Sequence, residues 1–553
     1  MIFLYGGQST LMRSVFKSAL IATTFVCTAG LFERTAHATN ITEFPDNGSE
    51  QMARGGAWVA RASDPLAAFY NPAGLAGQPT RLTLQSNITF SHTCFTRVQA
   101  ANDTTQEPLS GGAGGAFPRV CNDVAPNIGP QIAFTYRVTD RFGLGFAILG
   151  PSGAAKANWP NFVSNKDGPQ PAPQRYLLLD GNVLLATPTI GFGAEIIDNL
   201  RVGASFQLGI MKAKFSTASA SVNDENENPK SNDVNATLIA QDMFVPGFTL
   251  GALYSATENL DLAGWFKWSD AIKASGDIYT QSNYFTPKVA GGDTSGIKDG
   301  DSTIPDCNLG NGTKICGNGD NAKLRINIPM EAKIGLRYHK PRGPVKKHLR
   351  DPMATDVFDA EIDLTWANNS AFDGVRVRFP TDANGDGIIP VNGIPSGVVP
   401  PNADAYHGFR DVVGVRVGGD FNVLPDKLAL RGGAYFESNG QDKKYQNIDF
   451  IGAARVGLAA GTTFRIHLDP EKTKAIELSL GLMHVFVMTQ DNKDPKAEGM
   501  NGVAGTACNP SVNSLPGGTC KDGRPKYREN WPVNLGTITN AINAINVGAS
   551  YRF

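Results

Sequence analysis

The run Asp382-Ala383-Asn384-Gly385-Asp386-Gly387 has the spacing of the first half of a calcium loop, with Asp382, Asn384 and Asp386 as oxygen ligands. Its twelfth position is Gly393 rather than a bidentate Glu, and no helical pattern flanks it. A solvated acidic turn is therefore the better reading and a structural Ca²⁺ the weaker one; no other cofactor is implied. Of the seven cysteines, Cys27 lies in a leader segment, and the rest form three local couples: Cys94–Cys121, Cys307–Cys316 and Cys508–Cys520. An even set in an exported chain points to disulfides, and no Cys-x-x-Cys spacing favours a metal. No Gly-x-Ser-x-Gly elbow and no His-Glu-x-x-His pair occurs, so the chain reads as something other than an enzyme.

A different chemistry sits on alternating positions. Asp359, Glu361 and Asp363 share one face of a segment whose other face holds Phe358, Ala360, Ile362, Leu364 and Trp366. Just before it, Arg325, Asn327, Glu331, Lys333 and Arg337 alternate with Leu324, Ile326, Ile328, Met330, Ala332, Ile334, Leu336 and Tyr338. Such rows pair acid with base across neighbouring strands. Strands this long, with one nearly pure apolar face, need lipid as their solvent, and a lipid-facing sheet must close on itself.

The elements that would carry these rows recur along the chain. Strand-like segments are expected at 80–92, 127–138, 141–150, 181–196, 200–217, 242–256, 259–273, 323–339, 355–369, 411–422, 427–437, 452–468, 475–489 and 542–553. Short turns such as Val138-Thr139-Asp140 and Ile197-Asp198-Asn199 alternate with long joins at 93–126, 151–180, 218–241, 274–322, 370–410, 438–451 and 490–541. An even strand number with short turns at one end and long loops at the other marks an outer-membrane β-barrel. All three cysteine couples fall in the long joins as drawn. The last segment ends on Tyr551 and Phe553, the kind of terminus that bacterial barrel-insertion machinery reads.

Export fits the first forty residues. Arg13 and Lys17 precede an apolar run from Ala19 to Phe32, and Ala36-His37-Ala38 is a cleavage signal. Residues 1–38 are thus expected as a signal peptide, 39–79 as a plug and 80–553 as the barrel. The net charge of −1 gives no footing for nucleic acid.

The plug expectation comes from a resemblance. Met52-Ala53-Arg54-Gly55-Gly56-Ala57, then Ala62-Ser63-Asp64-Pro65, then Ala67-Ala68-Phe69-Tyr70-Asn71-Pro72-Ala73-Gly74-Leu75 resembles the N-terminal hatch of the FadL/TodX family. The acidic step is reduced here to Asp64. Phe142 to Ala147 with Gly150-Pro151-Ser152-Gly153 resembles the family's third strand and the turn after it. The resemblance implies an all-β, 14-stranded barrel in the bacterial outer membrane, plugged by its own N-terminus and monomeric. It would pass long-chain fatty acids or other hydrophobic compounds by diffusion, with release through a side opening near a kinked third strand. Adhesion through the long loops, or a general porin, are the rivals; the plug argues against the porin.

On that reading Phe69, Asn71, Pro72, Ala73 and Gly74 seat or gate the hatch. Arg325, Lys333, Arg337, Arg416, Arg431, Arg455 and Arg465 are lumen candidates for a ligand carboxylate, most of them spent on balancing Asp359, Glu361, Asp363, Asp420 and Glu437. Trp159, Phe162, Tyr176 and Leu178 supply either an external capture surface or a loop's own small core. Gly143 and Gly145 read as ordinary barrel glycines or as a strand weakness.

Overall fold

A computed structural model describes residues 44–45, 47–101, 109–112, 114–123, 125–150, 156–166, 168–219, 234–281, 285, 308–309, 313–314, 322–343, 348–372, 374–380, 402–493 and 532–553. The leader at 1–38, the acidic loop with Asp382, Asn384 and Asp386, and the couples Cys307–Cys316 and Cys508–Cys520 lie outside the described residues.

Fourteen antiparallel strands form the wall. They are β1 (Arg81–Arg97), β2 (Asn127–Arg137), β3 (Phe142–Leu149), β4 (Asp180–Ile197), β5 (Leu200–Ser219), β6 (Val234–Thr257) and β7 (Leu260–Ser269), followed by β8 (Glu331–Pro341), β9 (Asp356–Ala367), β10 (Val412–Leu424), β11 (Leu428–Glu437), β12 (Arg455–His467), β13 (Ala475–Asn492) and β14 (Gly536–Arg552). β14 pairs with β1 from Arg552↔Arg81 to Gly536↔Arg97, which closes the ring. Closure leaves no lipid-facing edge. The outer face carries exposed apolar side chains such as Ile132, Ile190, Ile334, Leu364, Val417 and Phe486. The terminal Phe553 is exposed and meets Phe134 edge-on at 6.5 Å.

β6 runs 24 residues, well beyond the ~9–11 that cross a bilayer. Its outer half leaves β7 and pairs with Ile272–Gln281, which pairs with Ala322–Ile326, then Gly374–Arg378, then Asn402–Tyr406. This extension stands at the long-loop end. The expected single strand 323–339 is therefore two strands. Between them lies Asn327-Ile328-Pro329-Met330, where Pro329 has no N–H for a ladder. The break reverses the faces: Leu324 and Ile326 point inward and Arg325 outward, whereas Ile334, Leu336 and Tyr338 point outward and Lys333 and Arg337 inward. The lumen placement expected for Arg325 is corrected accordingly. Cys94 is also displaced from expectation: β1 extends past it, so it sits on a wall strand and bonds Cys121 on a two-residue strand alongside. His92 Nε2 approaches Cys94 Sγ at 3.3 Å.

An N-terminal hatch fills the lumen. It contains one short helix, α1 (Ser49–Ala53), and two 3₁₀ turns, Pro65–Ala68 and Pro72–Leu75. Each turn starts with Pro, whose missing N–H costs nothing there. The residue before each supplies a cap: Asp64 Oδ1 accepts from Leu66 N–H at 2.8 Å, and Asn71 Oδ1 accepts from Ala73 N–H at 3.2 Å. Residues 47–79 are buried throughout, although few of their backbone groups have secondary-structure partners.

Candidate functional site

The wall provides the partners that the hatch lacks. Asp363 accepts the Trp58 and Val59 amides at 2.8 and 3.2 Å, and Glu361 accepts the Ala60 amide at 2.6 Å. The Arg54 guanidinium donates to Asp359 and Asp420, both at 2.6 Å, and to Glu361 at 3.0 Å. Arg61 reaches Asp359, Asp420 and Glu50. Burial alone would lower the Arg54 guanidinium, but its three carboxylate neighbours hold it well above its usual value. Arg61, Arg431 and Arg54 hold Glu50 far below the usual carboxylate range despite its burial. Asp64 goes the other way: burial first, then the charge of Glu50, pushes its carboxyl up to about 7.

Glycines on the wall make this contact close. A Cβ at Gly433 would stand 2.1 Å from the Arg54 carbonyl carbon, and one at Gly203 would stand 2.3 Å from that of Pro72. Gly143 and Gly145 likewise leave room for Leu75. They are neither idle nor a weakness; they are where the hatch touches the barrel. Asn71 is fully buried, and its Nδ2 donates to the Val59 carbonyl at 2.8 Å, tying the second turn to the first half of the hatch. Gly74 packs against the Ala62 carbonyl. Pro72 and Ala73 meet β5, β4 and β6 through the same turn.

Above the hatch the chemistry changes. A cavity of about 320 Å³ is floored by Phe44 and Phe69 of the hatch and walled by side chains such as Val183, Leu185, Met211 and Val245. Trp159 and Leu178 line its roof. Among the described residues three cations line it: Lys156, Lys267 and Arg455. The Lys267 ammonium sits 4.3 Å from the centre of the Phe69 ring, and the Phe69 carbonyl accepts from Gln207 Nε2 at 3.2 Å. Lys267 was not among the residues singled out from sequence. Its signal was its parity: it falls on the same face of β7 as Asp261 and Trp265.

The expected lumen cations divide sharply. Arg337 is bound by Asp261, Asp356 and Asp359, and Arg431 by Asp420. Arg465 is bound by Asp351, Asp426 and Glu477. Arg416 and Arg455 share Glu437. Lys333 lies 4.9 Å from the Trp265 ring centre. Of the seven, Arg455 reaches the cavity, where it lies over the Phe44 ring at 5.1 Å. Trp159, Tyr176 and Leu178 are buried in one cluster with Phe95 and Ile448, and Phe162 packs on it partly buried. They form a cap core rather than an exposed surface.

β3 runs beside this cavity. Its described part reaches Leu149, and beyond the undescribed residues 151–155 Lys156–Asn158 pairs with Asp180–Asn182 of β4. Leu149, Gly150, Lys156 and Ala157 all line the cavity.

A plugged fourteen-stranded barrel with this layout has relatives. The family model described as Outer membrane protein transport protein (OMPP1/FadL/TodX) matches residues 33–507. The chain belongs to that family. It is thus an outer-membrane protein of a family that transports hydrophobic compounds. A FadL homologue from Pseudomonas aeruginosa superposes with a TM-score of 0.60 at 15% identity, over 94% of this chain and 99% of that one. The Ralstonia pickettii toluene transporter TbuX gives 0.52 at 12% identity, over 93% and 99%. The P. putida toluene transporter TodX gives 0.52 at 12%, over 92% and 99%. At these identities the likeness establishes the fold. No curated protein sequence matches the chain significantly.

Proposed function

We propose that this FadL/TodX-family barrel passes long-chain fatty acids across the outer membrane by diffusion. The observation that carries this reading is the apolar chamber with one lysine ammonium at its floor, directly over a hatch ring. An alkyl chain needs the apolar wall, and its carboxylate needs a cation. Lys267 is the residue assigned to that carboxylate, with Arg455 second because Glu437 already holds it. Trp159 and Leu178 admit the chain from the cap. Residues 39–79 act as the hatch, and the turn from Phe69 to Gly74 is its moving part. Displacing Phe69 opens the chamber downward, and cargo leaves sideways through the wall near β3. The barrel works as a monomer and is inserted by the assembly machinery through the strand ending at Phe553.

A second cargo has support as well. Phe44, Phe69, Phe372 and Phe450 line the chamber, and two of the related structures are toluene transporters. Lys267→Met separates the two. Fatty-acid uptake by cells lacking their own transporter should fall roughly tenfold or more, the size of a lost charge-assisted hydrogen bond. Toluene uptake should stay unchanged. Equal loss of both, or of neither, would remove Lys267 as the carboxylate partner.

A further inference from the structure

We propose that the outward face of the strand extension binds the phosphates of an outer-leaflet glycolipid headgroup. Five cations line one groove there: Lys273, Lys323, Arg325, Arg376 and Arg378. All five are exposed, and they come from three adjacent strands. The alternate residues Ile272, Leu324, Ile326 and Val375 are buried in an apolar core beneath them. Each cation is therefore fixed outward by the burial of its neighbours, and the sheet holds the set in place.

The register stacks like charge on like charge. Lys273 lies opposite Arg325, which lies opposite Arg376, and Lys323 lies opposite Arg378. Directly opposed like charges destabilise a sheet. One described acid offsets part of this: Asp270 pairs with Lys273 at 2.8 Å. Arg325 Nε donates to Asn327 at 3.3 Å. Among the described residues the lining of the groove is positive, and the groove encloses about 400 Å³. A phosphate monoester carries close to two negative charges and accepts from two guanidinium donors at once. Two such groups on one headgroup would span both rows.

Position identifies the source of the phosphate. The extension begins where the lipid-facing belt ends. Trp268 stacks on Phe248 at 5.5 Å, and two residues away Phe266 of β7 is in register with Trp366 of β9 through Ala332. Aromatic girdles of this kind mark the membrane–water interface. Lys273 follows Trp268 by five residues on the long-loop side. In an outer membrane that side faces the phosphorylated glycolipid leaflet. The inference stands apart from the cargo, since the chamber lies on the inner side of the same strands.

The test uses the full mature chain in detergent, with bisphosphorylated lipid A, dephosphorylated lipid A and inorganic phosphate as probes in native mass spectrometry. Bisphosphorylated lipid A should bind, and should be lost with rising salt. The double variant Arg325→Ser, Arg376→Ser should weaken it at least tenfold while keeping the heat-modifiable gel mobility of a folded barrel. Lys472→Ser, at the short-turn end, should leave binding intact. Equal binding of the two lipid A forms, capture of inorganic phosphate without lipid A, or full binding by a folded double variant would each overturn the proposal.

Discussion

The lumen is two regions with opposite physics, stacked on one another. Around Arg54 and Arg61 it is a buried lattice of arginines and carboxyls, in which Asp359, Glu361 and Asp420 hold the hatch arginines while Glu361 and Asp363 accept hatch amides. Above Phe69 it is an apolar chamber whose wall asks only for shape and surface. Buried charges are costly unless each is paired, so the lower region has one good arrangement and a large penalty for losing any member. Apolar contacts are non-directional and roughly proportional to area, so the upper region can accept ligands of different outline. A plug needs the first property and a cargo chamber the second.

The largest effect should come from breaking the lower region. Arg54→Ala leaves Asp359, Glu361 and Asp420 without their shared cation and should cost about 3–5 kcal/mol of hatch seating. In planar bilayers the closed barrel should become a leaky pore. An unchanged conductance would mean that the backbone amides hold the hatch without the arginine. The upper region should fail differently. Leu178→Ala removes a buried leucine from the cap and should cost about 2–5 kcal/mol there. Uptake should drop and proteolysis of the cap should quicken, while conductance stays closed. If this variant also leaks, the two regions are one cooperative unit.

Asp64 sharpens the comparison with the smallest expected change. Its carboxyl titrates near 3.8 when the hatch is in water and at about 7 when seated. The seated acid is protonated more readily than the free one, so protonation favours seating. Seating should weaken as pH rises from about 4 to about 7 and change no further above that. Asp64→Asn should flatten this part of the pH profile of conductance bursts. Identical slopes in the two proteins would assign the dependence to other carboxylates.

Much of the wall was legible because a strand in lipid has to alternate. The rows Asp359–Glu361–Asp363 and Ile362–Leu364 fall on the faces their parity demands, and the fourteen segments correspond to the fourteen strands. Parity failed at Pro329, because alternation says nothing about where a ladder stops and restarts with a new partner. Arg325 was carried to the wrong face by that one break. Lys267 shows the other limit. Its face was readable, but its importance depends on Phe69, almost two hundred residues away, arriving beneath it.

A plug formed by the Gly- and Ala-rich N-terminus was implied only by its resemblance to a family hatch; the sequence by itself determined that this chain is a barrel, how many strands it has and which end bears the loops. Those follow from local rules: period two, turn residues and export signals. Tertiary structure decided which carboxylate holds which arginine, that Gly143, Gly203 and Gly433 are seats for the hatch, and that the cap residues are core. It also decided that five cations from three strands share one outward groove. Each of these depends on distances between residues far apart in the chain, and in a closed barrel such distances are set by register and closure, not by composition.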